Sequence, residues 1–323
     1  MDDRTTPRKP WPSEGIAEHV SFSGHETFVF RYSWLKKAVD AVLENAEAFN
    51  SESAMVILGV GKNMVRSIRH WGLATRVLEE ETGTRGRQLK VTQFGELIFG
   101  KGGSDPHLED TNSLWLLHWQ LSTNQQRSTT WCWAFNLLPS SEFTRDTLIA
   151  TIQAEIPRHR TKQPSANSVR RDVDCFIRTY VAAKNDRATV LEDSLDCPLV
   201  ELNLIAEDPT PGLFRFKRGI QSTLADEVFI YALLEFWDRN ATNRETLSFA
   251  DVAYGSGSPG RVFKLDENGL AERLGRLEQV SGGRLVYSET AGLNQIYRRS
   301  KTQVNEILRR HYHEFDPGNL IGV

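Results

Sequence analysis

The stretch Ala54-Met-Val-Ile-Leu-Gly-Val-Gly-Lys-Asn-Met-Val-Arg-Ser-Ile-Arg-His-Trp-Gly-Leu-Ala74 decides the fold. A short apolar helix, Ala54 to Leu58, meets a tight Gly59-Val60-Gly61 turn and a second helix from Lys62 to Ala74, which is a helix-turn-helix pattern. In the second helix Met64, Val65, Ile68 and Trp71 form the buried stripe, so Lys62, Arg66 and Arg69 project together on the other side. Two strands follow, Val77 to Glu79 and Gln88 to Thr92, around the basic, glycine-rich hairpin Thr82-Gly-Thr-Arg-Gly-Arg87. A hairpin of this kind behind a helix-turn-helix is a wing. Asn63 at the helix start, with Arg85 and Arg87 on the hairpin, completes a surface able to bond phosphates from two elements and to reach base edges. The bland reading of the same residues is a solvated helix face. The Gly59 to Lys62 run is no phosphate loop, because Val56 stands where the first glycine of that motif belongs and Asn63 replaces its hydroxyl residue.

Outward from this module, residues 1–18 read as a disordered leader, and an amphipathic helix is expected from Trp34 to Ala48. A helix at Phe94 to Phe99 closes the module. The segment holding Trp115, Trp119, Trp131, Trp133 and Phe135 reads as core helices, with His118 inside them. The pattern then recurs more weakly. A helix near Thr144 to Ile156, a helix from Ser168 to Tyr180 and a strand Leu213 to Phe216 suggest a second version. Leu247 to Phe249, the helix Glu267 to Val280 and a hairpin over 282–287 suggest a third, with an apolar packing helix, Asp226 to Trp237, between them. The expected fold is mainly α with small β-hairpins (α+β): tandem winged helix-turn-helix-like modules packed with helical segments. The expected domains are an N-terminal winged helix over 19–102, a helical middle domain over 103–245 with a winged-helix-like module of its own, and a C-terminal module over 246–323.

At 323 residues the chain is long enough for several cores, and 39% hydrophobic with 25% charged residues is a globular balance. The net charge of -3 does not by itself indicate a nucleic-acid partner. Local clustering of Arg66, Arg69, Arg76, Arg85 and Arg87 can still oppose the global field. Three cysteines without CxxC spacing indicate neither a disulfide framework nor a zinc knuckle. No apolar run of roughly 18 residues is present and the start lacks a secretion core, so no membrane partner and a cytoplasmic location are expected.

Several constellations could carry chemistry. On the helix from Ser168, Arg170, Arg171, Asp174 and Arg178 read either as a salt-bridge ladder or as part of a site. In the second case Asp172 and Asp174 join Glu192, Asp193 and Asp196 as catalytic carboxylates. Asp172, Asp174 and Asp196 would then be the ligands of Mg²⁺ or Mn²⁺, with arginines neutralising a phosphate. Gly24-His25-Glu26-Thr27 pairs a base with an acid, and Gly103 to Asp110 offers His107 with three acids; each is also a plausible cap or turn. The loop Ser256 to Arg261, followed by Lys264, is either an anion-binding nest or a linker before a helix.

Five segments together carry a family resemblance: Phe22-Ser-Gly-His-Glu-Thr-Phe28, Leu58-Gly-Val-Gly-Lys-Asn-Met64, Arg171-Asp-Val-Asp-Cys-Phe176, Glu192-Asp-Ser-Leu-Asp-Cys-Pro198 and Gly257-Ser-Pro-Gly-Arg-Val-Phe263. Over nearly its whole length the chain resembles a bacterial family catalogued as a domain of unknown function, and within it the DNA-nicking component of the single-strand DNA phosphorothioation (Ssp) system. The resemblance implies work beside a cysteine desulfurase, an ATPase and an ATP pyrophosphatase that exchange a non-bridging phosphate oxygen for sulfur, marking host DNA against phage. It implies a strand-nicking endonuclease acting on double-stranded DNA, and it assigns no catalytic residue. The alternative reading is a non-catalytic winged-helix adaptor or regulator. Whether a homodimer forms is left open.

Overall fold

In the computed structural model, residues 20–156, 163–182, 197–241, 244–290, 293–300 and 304–314 are described. They fall into two compact units, divided between Arg218 and Gly219, where the sequence reading had placed boundaries near 102 and 245. The architecture is α+β, with many helices and small antiparallel sheets.

The first unit opens with α1 (Tyr32–Glu44), α2 (Ala54–Leu58) and α3 (Lys62–Ala74). Gly59 ends α2 at φ 65°, a left-handed conformation that a residue without Cβ adopts at little cost. α3 buries Val65, Ile68, Trp71, Leu73 and Ala74 and leaves its opposite side in solvent. The chain then forms β1 (Leu78–Glu80) and β2 (Leu89–Val91), paired antiparallel with Leu78 opposite Val91. Thr92 caps α4 (Gln93–Phe99) by accepting the Gly95 N–H.

The tryptophan-rich segment forms α5 (Thr111–Ser122) and α6 (Thr129–Cys132), which runs into a π turn at Trp133–Leu137. α5 is buried nearly all round, and His118 lies at its centre with Nδ1 2.7 Å from the Tyr180 hydroxyl. Asp110 caps α5, and Asp105 accepts the N–H groups of Glu109 and Asp110, so the acidic loop before it is a cap and turn. Arg76, one of the clustered arginines, donates to Gln120 and Thr123 and so ties the end of α3 to this core.

A second sheet follows in the same unit. β3 (Glu142–Thr144) leads into α7 (Arg145–Glu155) and α8 (Ala166–Tyr180), and the chain returns as β4 (Ile205–Glu207) and β5 (Leu213–Phe216). The strand order is β3-β5-β4, so Leu213–Phe216 is the central strand and not a projecting hairpin.

The second unit contains α9 (Asp226–Asn240), then β6 (Thr246–Ser248), α10 (Phe249–Tyr254), α11 (Pro259–Val262), α12 (Glu267–Val280), β7 (Leu285–Thr290), β8 (Leu293–Arg298) and α13 (Val304–Glu314). Its sheet has the order β6-β8-β7, so the last strand again lies in the middle. The likeness reaches single side chains. Thr144 and Ser248 each form a capping box at the junction of first strand and first helix, with Thr147 and Asp251 as reciprocal partners. The hairpin expected over 282–287 starts later, because Gly282 and Gly283, both at positive φ, close the end of α12 before β7 begins at Leu285.

A tight packing point fixes α4 beneath the first hairpin. A Cβ on Gly95 would sit 2.2 Å from the Val77 carbonyl oxygen and 2.9 Å from Val91 Cγ1. Gly95→Ala is therefore expected to destabilise the first unit by about 1–3 kcal/mol, measured as a lowered urea midpoint at unchanged m-value.

Candidate nucleic-acid interface

The outer side of α3 carries Lys62, Asn63 and Arg66, all exposed. The Arg66 side chain is 57% exposed, and its Nη1 stands 3.5 Å from Oε1 of Glu26. Arg69, only 25% exposed, is engaged differently: its Nη2 donates to Glu80 at 3.1 Å and to the Gly86 carbonyl at 2.9 Å. It therefore locks the hairpin onto α3 and is a positioning residue for the surface that the two elements share. Arg127 joins the same carboxylate at 2.8 Å. Burial would raise the Glu80 carboxyl, but Arg127 and Arg69 together hold it below its ordinary value. Beyond this lock Arg85 and Arg87 are exposed, Arg85 in a left-handed conformation at φ 55° that fits the hairpin turn. Lys90 is paired with Glu79 and Glu81 at 3.3 and 3.7 Å.

The loop 23–28 borders this surface, and a buried carboxylate on α8 sets its shape. Asp172 is 2% exposed. Its Oδ1 accepts the Ser23 N–H at 2.7 Å and lies 2.9 Å from His25 Nε2. The Thr27 N–H points at His25 Nδ1 at 3.0 Å, so that nitrogen presents its lone pair and the ring proton sits on Nε2, facing Asp172. Burial and the Thr27 N–H at Nδ1 disfavour a charge on this ring, whereas the Cys175 sulfur and the Asp172 carboxylate favour it and raise its pKa above the ordinary value. A second proton could be added only by breaking the Thr27 bond. Further ties come from Ser23 Oγ to the Ser168 carbonyl at 2.9 Å and from Trp71 Nε1 to the Phe28 carbonyl at 3.0 Å. Gly24 packs against α3 so closely that a Cβ would lie 2.5 Å from His70 Nδ1.

His70 itself carries no signal in the sequence reading. Its ring meets that of His25 edge-on, centroids 5.8 Å apart, and its Nε2 has no hydrogen-bond partner among the described residues. Burial, then the neighbouring His25, lowers its pKa from 6.5 to about 3. Neutral His70 is thus part of the packing between α3 and the loop.

The expected carboxylate centre is not assembled by the residues described. Two positions apart on α8, Asp172 and Asp174 project about 200° from one another. Asp172 faces the core, and Asp174 faces solvent with Arg145 Nε at 3.1 Å. Glu192, Asp193 and Asp196 lie outside the described residues. Arg170 and Arg171 are exposed on α8. Arg178 donates to the Thr27 carbonyl and serves the loop. In the second unit Arg261 Nε donates to the Tyr254 carbonyl at 2.7 Å, and Ser258 caps α11, so the serine- and glycine-rich loop there is organised as a helix cap. Lys264, at φ 53°, ends the α11 turn partly exposed.

A family model described as "Protein of unknown function (DUF4007)" matches residues 22–312, which includes both units and the 23–28 loop. The chain belongs to the DUF4007 family. It is similar at 32% identity to a structure described as "Magnesium ion-bound SspB crystal structure", with TM-score 0.84 over 91% of this chain and 88% of that one. It is similar also to one described as "SspB crystal structure", at 32% identity and TM-score 0.83, over 93% of this chain and 90% of that one. No curated protein matches the chain.

In this DUF4007 member the Asp172 carboxylate is engaged unequally, its Oδ2 being buried with no hydrogen-bond partner among the described residues. One oxygen of that carboxylate is held by His25 and Ser23, Asp174 turns away, and among the described residues no three His, Cys, Asp or Glu side chains come together to hold a metal. The described residues around Asp172 form a structural clasp. Asp172→Ala strands the His25 and Ser23 N–H donors in the core and is expected to cost on the order of 3–5 kcal/mol, read by chemical denaturation. His70 gives a pH signature. Its folded pKa lies below the unfolded value, so its contribution is complete above about pH 6.5 and is lost as pH falls toward about 3. The stability difference between wild type and H70Q should therefore shift against the wild type on acidification through that window. A difference independent of pH would contradict a neutral His70.

Proposed function

We propose that the chain binds double-stranded DNA through winged-helix modules and acts as a DNA-handling component of the Ssp phosphorothioation system, in the cytoplasm, alongside the cysteine desulfurase, ATPase and ATP pyrophosphatase that introduce sulfur. The observation that carries the reading is the pairing of α3 with its hairpin. Lys62, Asn63 and Arg66 are exposed on the helix, Arg85 and Arg87 on the hairpin, and Arg69 joins the two elements through Glu80 and Gly86. A helix that enters the major groove beside a basic wing on the backbone needs such a fixed relation. Support for winged-helix modules elsewhere comes from the two three-stranded sheets, which share the sequence strand, helices, two strands and place the last strand centrally. On this reading Arg170, Arg171, Arg261 and Lys264 are auxiliary phosphate contacts of the later modules.

Removing Lys62 and Arg66 together (K62A/R66A) is expected to weaken duplex binding at least tenfold at low salt. The slope of log K against log salt should fall by at least about one contact, that of Lys62. Unchanged affinity and slope in a gel-shift titration would overturn the reading.

A second reading, strand nicking, is favoured by the likeness to a magnesium-bound SspB structure. Its candidate carboxylates are Asp172, Asp174, Glu192, Asp193 and Asp196. Purified protein with supercoiled plasmid and Mg²⁺ or Mn²⁺ separates the two. Open circles that vanish in a Glu192→Ala/Asp193→Ala/Asp196→Ala variant support the nickase, and plasmid that is retarded on a gel yet intact supports the binder.

A further inference from the structure

The loop 23–28 is held in a shape that its own residues disfavour. Ser23, Glu26 and Thr27 have φ of 61°, 49° and 70°, in the left-handed region where side chains with a Cβ are strained. The strain persists because Asp172, Ser168, Trp71 and Arg178 fix the backbone on both sides. What this arrangement presents to solvent is one carboxylate: Glu26, 35% exposed, beside Arg66 on the outer side of α3.

A carboxylate is a poor choice for a surface that only grips phosphates, since it repels them and offsets part of the charge of Arg66. It is a good choice for restricting what the arginine can bond. Arg66 occupies the fifth position of α3, in the part of a recognition helix that faces base edges. A carboxylate 3.5 Å from Nη1 draws that nitrogen to one side and leaves the rest of the fork for a planar, two-point acceptor, which in the major groove is guanine O6 and N7. We infer that Glu26 is a specificity-determining residue: it orients Arg66 toward guanine and discourages its use on phosphate. The inference rests on the duplex-binding reading and names the base class read at that site.

The test uses the full chain and a pool of short duplexes with randomised central base pairs, selected at fixed salt. The wild type is expected to enrich guanine at one position, with discrimination of roughly tenfold or more against adenine. E26Q keeps the shape and removes the charge. It should bind unselected duplex as tightly as wild type or severalfold tighter, and lose the guanine enrichment. R66K keeps the charge without the fork, and should lose the same enrichment. An equal thermal midpoint for the wild type and E26Q confirms that the loop itself is intact. Enrichment by E26Q equal to wild type, or wild-type binding without base preference, overturns the inference and leaves the duplex-binding reading standing. If the wild-type chain shifts no duplex at low salt, the underlying reading falls and the inference with it.

Discussion

A carboxylate removed from water must be met by donors, and in the first unit that single demand organises the surface. Asp172 is carried into the core on α8, where an unpaired charge would cost several kcal/mol. The donors it takes, the Ser23 N–H and His25 Nε2–H, come from a loop nearly 150 residues earlier in the chain. His25 in turn stacks on Trp71, and Gly24 lies against His70, both on α3. The clasp therefore fixes α3 relative to α8 from inside, and the exposed side of α3 inherits its orientation from a bond it does not make.

The charge pattern follows the same logic. A net charge of -3 hides a division of labour among the basic residues. Arg69, Arg76 and Arg127 are tied to Glu80, Gln120 or Thr123 and hold elements together. Lys90 is matched by acids on the neighbouring strand. Lys62, Arg66, Arg85 and Arg87 stay in solvent. A positive patch on an acidic protein is thus made by engaging some cations in the framework and leaving others at its edge, where only close-range fields matter at physiological salt.

The two three-stranded sheets add a constraint of another kind. Both begin with a strand that passes directly into a helix through a capping box, Thr144 with Thr147 and Ser248 with Asp251. A box satisfies donors at the start of the helix that would otherwise lack partners. In both sheets the returning hairpin inserts its second strand beside the first, giving the same order.

Much of this was legible in the residues alone. Apolar spacing placed α1, α3, α8, α9 and α12, glycines marked the turn before α3 and the basic hairpin, and the tryptophan-rich segment declared itself as core, because such signals are local. The exposed cations of α3 followed from the same periodicity. The roles of Asp172, Asp174, Arg69 and His70 did not. Acids two positions apart read as a shared site, yet the helix rotates by about 200° between them, and their partners stand elsewhere: His25 for one, Arg145 for the other. Sequence determined which faces of the helices are apolar and which are charged, since that depends on neighbours three or four residues away. Tertiary structure decided which charges are buried, paired or free, since that depends on neighbours brought together from across the chain.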